Sequence, residues 1–323
     1  SYNEKTGKYE IKRVMGPDEF HEKYPGAEDG GLKDNAYTNI MVAWLFNRAN
    51  DLINDLDNDT KNEIFTKIDT DEDEINKWKK IARSIHLEIS NDGIIAQFEG
   101  FFNLKDIDFN KYKEKYGDIH RMDRILKAEN KSPDEYKVAK QADTLMVFYN
   151  LPVEVVTDIL EKAEYDMPED YVEKNYRYYL NHCSHGSTLS RVVYSYLSHL
   201  AGKEEDTEKL YREALLSDYV DIQGGTTGEG IHAGVMGGTI YLALSMFAGI
   251  DLRKNKIMID PDLPEEWDGM NFEFNFKNDH YILGIQREKL NIEITSPGKD
   301  EVEVWIRGKK HLLKTSEKNQ VSL

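Results

Sequence analysis

Apolar residues recur at helical spacing along most of the chain. From Asp34 to about Leu56, Ala36, Ile40, Met41, Ala43, Trp44, Leu45 and Ala49 form a thick apolar stripe, which predicts a buried helix with Asp34 or Asn35 as N-cap. Asp71 to His86 carries Ile75, Trp78, Ile81, Ala82 and Ile85 on one side and predicts an amphipathic helix. Further helices are expected at about 118–128, 133–150, 152–164, 168–181, 187–201, 203–219 and 230–249, with Pro152 and Pro168 as first-turn prolines. Ile94 to Phe102 is apolar and aromatic, a buried loop or lining segment. Past Asp251 the period becomes two. The runs IMIDP, NFEFNF, HYILGIQR, LNIEIT and EVEVWIR, broken at Asn278-Asp279 and Pro297-Gly298, predict a small antiparallel sheet of five or six strands. The fold class expected is mainly α, residues 1–252, followed by a small β domain, residues 253–323.

Two acidic runs interrupt the helical part. Asp55, Asp57 and Asp59, then Asp69, Asp71 and Asp73, repeat every second residue as calcium ligands do. Neither run has the glycine or the final glutamate of an EF-hand loop, so they are read as solvated helix ends. The stretch from Asp51 to Asp59 is taken as a surface turn.

Composition narrows the classes. The chain has 323 residues, 39% of them hydrophobic, enough for a large core. Forty-two basic residues stand against 60 acidic ones, a net charge of -18 that repels phosphodiester backbones and argues against nucleic acid. Cys183 is the single cysteine, which excludes an intrachain disulfide and fits a cytoplasmic setting. No apolar run is long enough to span a membrane, so no membrane partner is expected.

Four stretches carry candidate chemistry. In Gly16-Pro17-Asp18-Glu19-Phe20-His21-Glu22, Pro17 fixes a turn and Met15 and Phe20 flank two acids. Glu19 reads either as a turn acid or as a partly desolvated general acid, with Glu22 as its rival. Lys140-Gln141-Ala142-Asp143 places a cation, an amide and an acid inside an apolar helix, where they bind a ligand or one another. Cys183-Ser184-His185-Gly186-Ser187-Thr188 precedes a helix, with more hydroxyls and free N–H groups than capping needs, an arrangement suited to an anion. The spacing of His182, Cys183 and His185 matches no common zinc pattern, and no metal is expected. Gly224 to Gly234 is glycine-rich and again leads into an apolar helix. It is neither a dinucleotide fingerprint nor a Walker loop, which leaves either a close backbone approach to a ligand, with His232 facing an anion, or an eased helix crossing.

Taken in order, GPDEFHE with KDNAYTN, KQADTLMVFY, SHGSTLSRVV, DIQGGTTGEGIHAGVMGGT and IDPDLPEEW resemble the second half of glycoside hydrolase family 65, the family of maltose, trehalose and kojibiose phosphorylases. The resemblance implies part of an (α/α)6 barrel followed by a small C-terminal β domain. It implies inverting phosphorolysis of an α-glucoside, with inorganic phosphate as co-substrate and no cofactor, giving β-glucose 1-phosphate. Glu19 would then be the proton donor and Lys140 and Gln141 would bind the glucosyl residue. Ser184, His185, Gly186, Ser187, Gly230 and His232 would hold the phosphate. The QGGTT and FHEKYP details look most like trehalose- and kojibiose-type members. An inverting hydrolase using Glu229 to serve water, and a carbohydrate-binding remnant without turnover, are the alternatives. The helices are fewer than a closed barrel requires, so an open apolar face is expected, covered by a complementary N-terminal piece, and the chain alone is expected to lack activity; a second copy of the chain is the other partner considered.

Overall fold

The computed structural model describes residues 1–220, 228 and 230–323. Two short hairpins, β1 (Tyr2–Asn3) with β2 (Lys8–Tyr9) and β3 (Lys12–Val14) with β4 (Leu32–Lys33), lead into the helix α1 (Ala36–Asn54). Asn35 is its N-cap, accepting from the N–H of Thr38, while Asp34 is turned aside at φ 53°. The helix is buried on one face only. Ala36, Ile40 and Ala43 are sealed, but Leu45 and Leu52, two turns apart, are 55% and 50% exposed. The packed face meets the helices at Glu72–Arg83, Met146–Asn150 and Val153–Lys162, and the apolar stripe is wider than that contact.

Both acidic runs serve as helix ends. Asp55 closes α1; Asp57 caps the N-terminus of α2 (Asn58–Ile68); Asp69 ends it in the left-handed conformation; Asp71 caps α3 (Glu72–Arg83). Side-chain oxygens of Asp57 and Asp71 accept from first-turn N–H groups, which are otherwise orphaned. Neither α2 nor α4 (Phe109–Tyr116) was expected, and neither buries a side chain. Short helices with only partly buried apolar residues, such as Phe109 and Tyr112 of α4, leave little apolar period to read.

Ile94 to Phe102 is the buried segment anticipated, with Ile95, Phe98 and Phe101 at the centre of the helical core. After α5 (Met122–Ala128), the helix expected over 133–150 is replaced. A 3-10 turn at Pro133–Glu135 is followed by irregular backbone, and only α6 (Met146–Asn150) is helical. The reason is that the backbone from Tyr136 to Lys140 is committed elsewhere: Lys105 bridges Tyr136 and Ala139 bridges Cys183, as strands do. Then come α7 (Val153–Lys162), α8 (Tyr171–Leu180), α9 (Thr188–Leu200), α10 (Glu204–Leu215) and α11 (Ala233–Leu242), the last continued by a π-turn to Phe247. Helices α9, α10 and α11 pack together. Gly238 permits this approach, since a Cβ there would meet Val192 at 2.9 Å.

At Gly249 (φ 64°) the chain enters the β region, where a side chain would collide with the carbonyl of Asp260. Eight strands follow rather than five or six, in two sheets rather than one. One sheet orders β11 (Lys309–Lys314), β10 (Glu301–Ile306), β6 (Met258–Ile259) and β5 (Ile250–Asp251); β10 and β6 run parallel. The other orders β12 (Lys318–Ser322), β9 (Lys289–Thr295), β8 (Asp279–Gln286) and β7 (Gly269–Phe276), all antiparallel. Their inward residues, among them Ile259, Tyr281, Leu283, Ile292, Val304 and Ile306, make one core. The alternation found β6 and the long strands β7 to β10; the two-residue β5 and the polar β11 and β12 carry too few apolar positions to show it.

Candidate active site

Four stretches far apart in sequence meet on one side of the helical part. The turn after β3 is fastened to the irregular segment before α6. The N–H of Lys140 donates to Asp18 Oδ1 at 2.8 Å, the N–H of Asp18 donates to Asp143 Oδ2 at 2.9 Å, and Gln141 Nε2 donates to the carbonyl of Pro17 at 2.6 Å. Asn35, the α1 cap, also holds Asp143, its Nδ2 donating to Oδ1 at 2.7 Å. Asp18 and Asp143 are sealed, and burial pushes the Asp143 carboxyl up to about 7.

Glu19 extends from this scaffold into solvent. Its carboxylate is 62% exposed, and Lys140 Nζ sits 2.7 Å from Oε2. The desolvation expected from Met15 and Phe20 is not found, because Phe20 turns into the core and Met15 faces outward. Glu22 is exposed as well, and its N–H donates to Asp134 Oδ1 at 2.9 Å.

The segment 183–187 lies beside Lys140. The N–H of Ser184 donates to the carbonyl of Ala139 and the N–H of Gly186 to that of Lys140, at 2.8 and 2.9 Å. Gly186 is required here, since a Cβ would stand 2.4 Å from the carbonyl of His120 and 3.2 Å from Lys140 Cγ. Ser184 Oγ points at the carbonyls of His120 and Ala139, both 3.3 Å away. His185 has φ 52°, its Nδ1 pairs with Ser190 Oγ at 2.8 Å, and its ring stands edge-on to Tyr194. Burial, reinforced by the nearby Arg191 guanidinium, pushes His185 down to about 3, so the ring is neutral. Among the described residues the hydroxyl of Ser187, at the N-terminus of α9, makes no capping hydrogen bond.

The second anion stretch is reached through α10. Arg191, sealed on α9, donates from Nε to Glu213 Oε2 at 3.0 Å and from a terminal nitrogen to the carbonyl of His185 at 3.3 Å. One turn beyond Glu213, Asp218 receives both the N–H and Nδ1–H of His232, at 2.9 and 2.8 Å. The N-termini of α9 and α11 therefore flank the C-terminal end of α10. Gly230 is exposed at φ 104°. Gly224, Gly225, Thr226, Thr227 and Glu229 lie outside the described residues.

Residues 1–241 match the Glycosyl hydrolase family 65 central catalytic domain, and residues 250–313 match the Glycosyl hydrolase family 65, C-terminal domain. The chain belongs to glycosyl hydrolase family 65. This family 65 chain is 43% identical over 284 residues to a trehalose 6-phosphate phosphorylase of Lactococcus lactis, covering 88% of the chain and 35% of that protein. It is 30% identical over 321 residues to a kojibiose phosphorylase of Halothermothrix orenii, covering 95% of the chain and 37% of the relative. The chain thus spans about a third of the length of these curated relatives. A solved structure, put forward as a kojibiose phosphorylase from human microbiome, shares the fold with a TM-score of 0.76 at 21% identity, over 100% of this chain and 43% of that one.

Sequence reasoning reached Glu19, Lys140 and the loop of Ser184 to Ser187, which the fold brings together. It named Asp143 only as the acid beside Lys140 and Gln141, and missed Asp18, His21, Asn35 and Arg191 as the framework that holds these residues. The signal was present: buried polar side chains inside otherwise apolar stretches need partners. Asp143 two residues beyond Gln141, and Arg191 within the Val-Val-Tyr run of α9, both answer to it.

Proposed function

We propose that the chain carries the acid side and the phosphate side of an inverting α-glucoside phosphorylase. Glu19 protonates the glycosidic oxygen as the C1–O bond breaks, and inorganic phosphate forms the new bond to C1 from the opposite face. The products are β-glucose 1-phosphate and the released sugar, and Glu19 regains its proton from solvent. No cofactor takes part. The supporting observation is the meeting of Glu19 with Lys140, whose own carbonyl holds Gly186 at the N-terminus of α9. An exposed carboxylate, a cation and an uncapped helix N-terminus in one place suit a sugar and a phosphate bound side by side.

In this reading Lys140 exchanges Glu19 for sugar hydroxyls when substrate binds. Gln141 serves through its remaining amide oxygen, since Nε2 holds Pro17. Ser187 and the first N–H groups of α9 receive phosphate directly, with His232 and Gly230 beyond them. Ser184, His185 and Gly186 shape the loop, their hydrogen-bonding groups being turned inward. Residues 1–248 form the catalytic part and 249–323 the β domain, earlier than the boundary expected at 252, because β5 already pairs with β6 in the sheet. Among the described residues no helix is long and apolar enough to cross a membrane, and the cytoplasm, with its phosphate, is the setting proposed.

The 43% relative makes trehalose 6-phosphate the first substrate to test, with trehalose and kojibiose beside it. The chain, alone and joined to the N-terminal part of its parent gene product where one exists, is incubated with each sugar with and without phosphate. Phosphorus NMR showing β-glucose 1-phosphate only when phosphate is added supports the proposal. Free glucose without phosphate identifies a hydrolase, and sugar binding without turnover in either form identifies a binding remnant.

A further inference from the structure

His21 is sealed in the core two residues from Glu19, and each ring nitrogen has an acceptor oxygen as its nearest polar neighbour, the Gln97 amide nitrogen standing further from Nδ1 at 3.5 Å. Nε2 lies 2.9 Å from the carbonyl of Tyr136, and Nδ1 lies 3.1 Å from Asp18 Oδ2. A carbonyl can only accept, so Nε2 carries a hydrogen. The Asp18 carboxylate already accepts from the N–H of Lys140 on Oδ1 and from Gln97 Nε2 on Oδ2, at 2.8 and 3.1 Å. Two donors on the carboxylate favour its charged form, which places the shared proton on Nδ1. The ring is packed edge-on against Phe98 and Phe101, which fixes its plane. The charged groups facing it are Asp18, Asp134 and Asp143, all acidic. Burial by itself lowers the pKa of His21, but hydrogen bonding and attraction to Asp18 outweigh it and leave the group raised.

We infer that His21 is a positioning residue for Glu19: a buried imidazolium that clamps the Asp18 carboxylate, whose other oxygen holds the backbone of Lys140, so that the Glu19 and Lys140 side chains converge. Asp18 is thus a two-sided clamp between an invisible cation below and the site above. The inference rests on the reading of Glu19 and Lys140 as site residues, and its test is separable from that reading.

Long-range proton–nitrogen spectra of the nitrogen-15-labelled full chain at pH 8 identify the protonation state of every histidine. One ring remains doubly protonated, and its signals vanish in His21→Gln. A neutral His21 at pH 8 overturns the inference. Asp18→Asn, which keeps the shape and removes the charge, returns that ring to the neutral form at pH 8; an imidazolium surviving there also overturns it. Positioning is read from the carboxyl carbon-13 shift of Glu19. Lys140→Met moves this shift in the wild-type background and leaves it unmoved in Asp18→Asn and His21→Gln. Equal movement in all three backgrounds refutes positioning. Where phosphorolysis is present, His21→Gln lowers kcat about 30-fold with KM for sugar and phosphate within twofold. Where it is absent, the reading of Glu19 fails and the nuclear shifts still decide the clamp.

Discussion

The Cβ that Gly16 lacks would fall 2.1 Å from Oδ2 of Asp143 and 2.2 Å from Nδ2 of Asn35. A carboxylate and an amide from two distant segments close over a bare backbone, and the turn bearing Glu19 is held there. Gly16→Ala forces that buried network apart. The expected loss is about 3 kcal/mol of stability, from strain and from donors left unpaired. Chemical denaturation measures it, and a loss below about 1 kcal/mol contradicts the packing described.

Glu19→Gln removes the proposed proton donor while keeping shape. Phosphorolysis should fall by about 10²–10⁴-fold, the range that a positioned general acid supplies. Stability should change by less than about 1 kcal/mol, because the pair with Lys140 is largely solvated on the Glu19 side. Retained activity, measured as glucose 1-phosphate release, removes Glu19 from its role.

Ser187 and Gly186 make a contrasting pair. The Ser187 hydroxyl caps nothing, so Ser187→Ala should raise KM for phosphate about tenfold and leave the melting temperature within a degree or two. Gly186→Ala drives a methyl into the carbonyl of His120, and should lower stability and phosphate affinity together. A Ser187→Ala enzyme with unchanged phosphate dependence but a lower melting temperature would mean that the hydroxyl is structural.

The pH dependence of stability has opposing parts whose signs can be separated. The Asp143 carboxyl is raised to about 7, so between about 4 and 7 the folded chain holds a proton that the unfolded chain has released, and this group makes stability fall as pH rises. His21, also raised, contributes stability that is present below 6.5 and lost as pH rises through its folded value. His185, pushed down to about 3, works the other way: the unfolded chain takes up its proton below 6.5, so this group adds stability as pH rises to 6.5. Melting temperatures should therefore decline from pH 7 to 9, where His185 no longer titrates. The stability gap between wild type and Asp143→Asn should shrink from pH 4 to 7 by a few kcal/mol, at about 1.4 kcal/mol per unit of pKa shift. A constant gap would contradict a buried, raised Asp143.

Patterning alone determined the long helices and long strands, because amphipathic elements of that length must place apolar residues at a fixed period to reach a core. It also located Glu19, Lys140 and the loop of Ser184 to Ser187, since polar and glycine-rich stretches among apolar ones stand out locally. It placed Lys140 to Asp143 in a helix, however, because Thr144 to Tyr149 continue the apolar run and nothing local reports a bridge to Cys183 across the fold. Only the tertiary structure decided that Lys140 meets Glu19, that Asp143 covers Gly16, and that the His21 ring is sealed against the carbonyl of Tyr136. Each of these pairs a residue with a partner supplied by folding, often more than a hundred positions away, and a hydrogen bond of that kind leaves no period in the chain to read.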